Sequence, residues 1–214
     1  MNLVQKPLAA GQYVEDVFPK DLLVLHFTAG RTADGAIQSW AASPERVATA
    51  YVLDADGTVY QCFDPAKWAF HLGQKTTNAN DKRSVAVEIA NVGPLRKIGA
   101  DLCWWPENFT KPYCKLTDAE KFIQLGAPWR GFSYFATFTE AQKVAIPELV
   151  TKICGDHGIP AKLSSMRDVA DPSYFRNWKG IASHQNFRKD KFDVGPAFPW
   201  ELVEAVCQPA AVPS

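Results

Sequence analysis

The chain has 214 residues, 23 basic and 23 acidic side chains and 47% apolar content, enough for one α/β domain with a sizeable core or a domain carrying a large insertion. The zero net charge leaves no basic excess for nucleic acid, and the apolar content excludes a disordered chain. No stretch approaches the ~18 consecutive apolar residues of a membrane span.

Leu22–Thr28 is apolar on both faces, the pattern of a central strand covered on each side. Thr32 to about Trp40, preceded by Gly30, reads as a helix. Ala50–Leu53 and Thr58–Phe63 flank the turn signal Asp54-Ala-Asp-Gly57 and predict a hairpin. Ser84–Ala90 is a further strand, with Val85, Val87 and Ile89 on one face and Ala86, Glu88 and Ala90 on the other. Residues 92–137 differ in kind. Aromatic-rich, proline-containing and weakly periodic, they predict a long loop-rich insertion, with Thr117-Asp-Ala-Glu120 capping one short helix inside it. Two arrangements are open: packing beside the functional cleft with aromatics offered to sugar faces, or packing around a small core of its own. Thr139-Glu-Ala-Gln142 forms a capping box that opens a helix to about Cys154, with Gly155 and Gly158 as the stop. Pro147 is expected to kink or break it. Pro199–Val206 predicts a short closing helix, and 208–214 a frayed tail. Without repeats or linkers, residues 1–207 read as one domain containing the 92–137 insertion.

Five cysteines (62, 103, 114, 154 and 207) are an odd number without a Cys-x-x-Cys pair, against both a cysteine-rich metal module and a complete disulfide framework. Cys103 and Cys114 can close a step within one loop; free buried cysteines are the alternative. The N-terminus shows no apolar segment with a small-residue cleavage site, so the expected setting is cytoplasmic or release by lysis, unless a signal was removed beforehand.

The chemistry concentrates on a few residues. His26 ends the apolar run Leu22–His26, and His184 ends Trp178–His184. One histidine on an apolar strand is ordinarily a hydrogen-bonded core residue, but two of them with a carboxylate make a zinc site. Asp193, nine residues after His184, is the expected third ligand, because Val-Gly-Pro follows it and fixes the backbone. Asp190 competes, yet lies in a run of solvated charges. Three protein ligands leave one tetrahedral position for water, which is the catalytic arrangement and points to a hydrolase. Glu88, mid-strand with no adjacent cation, is the candidate general base, and Lys191 the candidate oxyanion stabiliser. Thr28 could support a metal ligand or orient substrate, and His71 could contact substrate, close the cleft wall or be structural.

Six pieces in order carry a resemblance: Val24-Leu-His-Phe-Thr-Ala-Gly30, Tyr51–Tyr60, Trp68-Ala-Phe-His-Leu-Gly73, Ser84–Gly93, Gly158-Ile-Pro160, and His184 through Trp200. Together they resemble the zinc N-acetylmuramoyl-L-alanine amidases of the type shared with phage T7 lysozyme and the peptidoglycan recognition proteins. The resemblance implies a single domain with a central mixed β-sheet flanked by helices. It also implies one zinc held by His26, His184 and Asp193, with Glu88 as base and Lys191 at the oxyanion, and cleavage of the amide joining muramic acid to L-alanine. Thr28, Trp68, His71 and Asn91 complete the expected substrate-binding set, and peptidoglycan or muropeptide fragments are the expected partners. Two departures, Ala50 where the family often has histidine and Asp190-Lys-Phe-Asp193-Val-Gly before and after the third ligand, bear on substrate contacts. An endolysin, a wall-remodelling enzyme and a muropeptide-recycling amidase all fit, the missing export signal favouring the first or the last. A non-catalytic peptidoglycan-binding module and a zinc amidase for another amide are the alternatives.

Overall fold

The computed structural model describes residues 1–73 and 77–207, so the expected tail at 208–214 lies outside the described residues. Eleven strands are described: β1 (Asn2–Gln5), β2 (Leu22–Phe27), β3 (Tyr51–Leu53), β4 (Thr58–Gln61), β5 (Ser84–Ile89), β6 (Pro94–Ile98), β7 (Asp101–Trp104), β8 (Lys111–Lys115), β9 (Phe122–Trp129), β10 (Phe132–Ala136) and β11 (Gly180–Ser183). The helices are α1 (Ala33–Ala42), α2 (Ala79–Arg83), α3 (Pro106–Phe109), α4 (Glu140–His157), α5 (Pro172–Phe175), α6 (His184–Phe187) and α7 (Trp200–Glu204).

The main sheet runs β1-β4-β3-β5-β2-β11, with β3 and β4 antiparallel as the predicted hairpin and every other pair parallel. The mixed sheet and the predicted strand positions are both observed. β2 lies in the interior with all six residues buried, because helices cover both faces. On one side Leu23, Leu25, Val85, Val87 and Ile181 meet Ile146, Leu149, Val150 and Ile153 of α4. On the other, Leu22, Val24 and Ala182 meet Phe175 of α5 and Phe187 of α6.

α1 starts at Thr32, whose hydroxyl accepts from Gly35 N–H, and α4 starts at the capping box of Thr139 and Gln142. Gly158 closes α4 in the left-handed region at φ 65°. Pro147 does not divide this helix. Apolar residues on both sides of it, Ala145 and Ile146 before and Leu149 and Val150 after, are buried and hold the segment to the sheet.

Residues 92–137 correct the loop-rich expectation. They form a second, five-stranded antiparallel sheet in the order β8-β7-β6-β10-β9, around Val92, Leu95, Leu102, Trp104, Cys114 and Ala136. The expected short helix there is a single 3-10 turn at Ala119–Lys121, with Asp118 rather than Thr117 before it. Cys103 and Cys114 are both free and buried in this sheet.

The two sheets join just beyond β5. The Asn91 side-chain amide donates to the Ala136 and Thr137 carbonyls, and its oxygen accepts from Gly93 N–H at 2.7 Å. Gly93 has φ +73°, and a Cβ there would lie 2.5 Å from the Phe27 ring. Gly93→Ala should therefore cost about 2–3 kcal/mol in denaturant unfolding, from positive-φ strain and overpacking together. A loss below ~0.5 kcal/mol would show that the junction yields freely.

Candidate active site

The parallel strands put the reactive side chains in one row. Register pairs His26 of β2 with Glu88 of β5, so both project from the same face of the sheet. Ser183 of β11 pairs with Leu25, and His184 follows one residue later, beside His26. The row lies at the carboxyl ends of three adjacent parallel strands, where open α/β sheets place their ligands.

The third member arrives from the loop after α6. Gln185 N–H donates to the Asp193 carbonyl at 2.9 Å, and the Gln185 side-chain oxygen accepts from Gly195 N–H. Asn186 anchors the turn before it through the Met166, Arg167 and Val169 carbonyls. Asp190, the rejected alternative, is exposed and paired with Arg188.

His26 Nδ1, His184 Nδ1 and Asp193 Oδ2 converge, with separations of 3.0, 3.0 and 2.9 Å. All three residues are buried. The outer nitrogens fix the tautomers through the hydrogen-bond network. His184 Nε2 faces the Leu72 carbonyl at 3.0 Å and must donate, which leaves Nδ1 a bare lone pair. Ser84 Oγ donates to the Asp81 carbonyl and so accepts from His71 Nε2 at 2.7 Å. His71 Nδ1 then accepts from His26 Nε2 at 3.0 Å, and His26 Nδ1 is bare as well. Three acceptors facing one another with no proton between them are satisfied by a cation, and this group could hold a metal ion.

Burial pushes His26 down to about 4, although the neighbouring Asp193 carboxylate favours its charged form, and lowers His71 well below the usual range, with His26 and His184 adding to the effect. Both imidazoles are therefore neutral near pH 7. Burial alone would raise the Asp193 carboxyl, but His184 and His26 outweigh it and hold the group ionised. Glu88 is pushed well above the carboxylate range, first by burial and then by the negative Asp193, with Lys191 partly offsetting both. Its Oε2 is buried without a hydrogen-bond partner.

A histidine held neutral in the folded state, with a pKa below its unfolded value, contributes stability that is present above about pH 6.5 and lost as pH falls through the folded pKa. For His26 that window runs from about 6.5 down to about 4. Chelator-treated protein should accordingly lose denaturant resistance across this interval, and His71→Gln should flatten the decline. An unchanged slope in the variant would remove His71 from the acid response.

The expected residues divide clearly by position. Thr28, His71, Glu88 and Lys191 line the same cleft of about 370 Å³ as the triad. Trp68 is buried against Phe18 and Phe70 and does not border that cleft, and Asn91 is committed to the junction between the sheets. Composition and spacing missed Ser84 and Asp81, whose carboxylate accepts from His71 and Leu72 N–H and shapes the segment behind the histidines. They missed Gln185 as well. Asp81 and Gln185 act through backbone groups, which carry no side-chain pattern.

The sequence matches the family described as N-acetylmuramoyl-L-alanine amidase over residues 17–196. A comparison with curated proteins gives no match. Among solved structures the fold is similar to PlyL, with TM-score 0.57, 10% identity, and 97% of this chain and 98% of that chain covered. It is also similar to AmiD from E. coli, solved with anhydro-N-acetylmuramic acid-L-Ala-D-gamma-Glu-L-Lys, with TM-score 0.55, 19% identity, and 90% and 59% coverage. The catalytic domain of XlyA aligns with TM-score 0.53, 12% identity, and 96% and 99% coverage.

Proposed function

The chain belongs to the N-acetylmuramoyl-L-alanine amidase family, and from that premise we propose that it is a zinc-dependent hydrolase of the amide between the lactyl group of N-acetylmuramic acid and L-alanine. Its substrate is peptidoglycan or a muropeptide fragment. The supporting observation is the convergence of two bare Nδ1 atoms and a carboxylate oxygen beside a partnerless Glu88.

His26, His184 and Asp193 would hold the zinc. Tetrahedral zinc with bonds of ~2.0–2.1 Å spaces its donors by roughly 3.3 Å, a few tenths of an ångström wider than the observed triangle. Two imidazoles and one carboxylate are a fitting donor set, and three protein ligands are the catalytic type. Bound there, zinc supplies a Lewis acid that acidifies water and polarises a carbonyl.

The chain's own residues then divide the proton work. Glu88, with its raised pKa, takes a proton from the attacking water and returns it to the departing alanine nitrogen. Lys191 borders the same cleft, where its ammonium neutralises charge developing on the former carbonyl oxygen. Thr28 donates its hydroxyl proton to the Gly30 carbonyl and accepts from the Gly30 and Asn91 N–H groups, so its hydroxyl is fully engaged and shapes the cleft wall rather than binding substrate. The intact triad counts against a purely recognitional role.

Mass spectrometry of a muropeptide like the one bound by AmiD tests the assignment. The expected products are an intact saccharide and a peptide with a free L-alanine amino group. A chelator should abolish the reaction and added zinc should restore it. Cleavage within the peptide or the sugar, or full activity with chelator present, would refute the proposal.

A further inference from the structure

The cleft at the triad opens into a second and larger one. About 680 Å³ in volume, it lies between α1 and the second sheet and shares Thr28, Ala29 and Glu88 with the first. Glu88 thus stands at the junction, so a substrate reacting at the triad extends one arm into this space.

The second sheet builds the far wall. Trp105 is 52% exposed, yet its indole N–H is anchored to the Ala29 carbonyl, so a large aromatic surface is held fixed at the rim. Arg31 and Lys111 flank the Trp104 ring at 5.5 and 5.7 Å. Arg31 also packs over Tyr113 at 5.2 Å and donates to the Pro112 carbonyl, which tethers α1's approach to β8. Neither cation has an acidic partner among the described residues. Apart from Glu88 at its inner end, the cleft's charged lining is entirely positive.

We propose that this cleft receives the peptide arm of the substrate, and that Lys111 and Arg31 read a free carboxylate on it. The inference rests on the amidase reading and adds which arm goes where. Charge decides between the arms. The saccharide is neutral once its lactyl group is amidated, whereas a γ-linked glutamate leaves an α-carboxylate free close to the scissile bond. Two preplaced cations favour the charged arm, and the Trp105 face covers its aliphatic part. The second sheet is therefore a specificity wall as well as a self-packed unit.

The test compares two muropeptides that differ only in that carboxylate, free in one and amidated in the other, together with equilibrium binding of the corresponding free tripeptides by calorimetry. A charge-assisted hydrogen bond predicts an approximately tenfold preference for the free acid, carried by KM and weakened by salt. Lys111→Met should reduce the preference to within about twofold, and Lys111→Glu should reverse it. Lys111 is exposed at the start of edge strand β8, so neither change touches the core. Wild-type indifference to amidation, or a preference that survives both substitutions, would overturn the inference while leaving the amidase activity standing. Charge-dependent tripeptide binding without turnover of either muropeptide would uphold the cleft and overturn the amidase reading.

Discussion

Glu88→Gln is expected to lower kcat by ~100-fold or more while leaving the metal content of the purified protein unchanged. The side chain lies in register with His26 but is no part of the convergent triad, and its Oε2 has no hydrogen-bond partner. A carboxylate held without a hydrogen-bond partner on the cleft face, opposite Val87 and Ile89, costs stability, so the same variant should unfold at equal or higher denaturant concentration. Glutamine keeps the volume and removes only the basic oxygen. Measuring kcat, bound metal and unfolding midpoint on one preparation separates a base from a structural carboxylate. Retained turnover would take Glu88 out of the mechanism. Because the base must be ionised, kcat should fall on the acid side as Glu88 takes up a proton.

Asp193→Ala should have the other large effect, with the opposite pattern: metal affinity and turnover fall together. Removing a group that only supports a ligand costs ~10–100-fold in affinity, so loss of a ligand should exceed ~100-fold. Two neutral imidazoles would remain without the negative charge that balances the cation. Asp190→Ala is the control, since that carboxylate is exposed and paired with Arg188. Equal losses in the two variants, by metal titration, would mean that the wrong carboxylate had been assigned.

The site was readable because its residues sit at the ends of recognisable elements. His26 closes an apolar run that can only be a covered strand, and Glu88 interrupts an alternation of buried aliphatics. The helix from Thr139 was announced by its own cap, and the hairpin by Asp54–Gly57. The second sheet was not readable, and its prolines explain much of that. Pro112 and Pro128 read as strand breakers, yet β8 and β9 are the two edges of the sheet, where a missing N–H costs little. Gly126 in β9 further blurs the period. His71 shows a different failure. Its motif marks importance, but only the fold reveals that the ring is inserted between His26 and Ser84. Pro147 does not end the helix because local helix rules yield to a face packed on both sides of the proline.

Anomalous diffraction at the zinc edge from crystals grown with stoichiometric zinc tests the central claim most directly. A single peak ~2.0–2.1 Å from His26 Nδ1, His184 Nδ1 and an oxygen of Asp193 is the expected result. A peak at other residues, or contact through the Nε2 atoms that instead face His71 and Leu72, would contradict it.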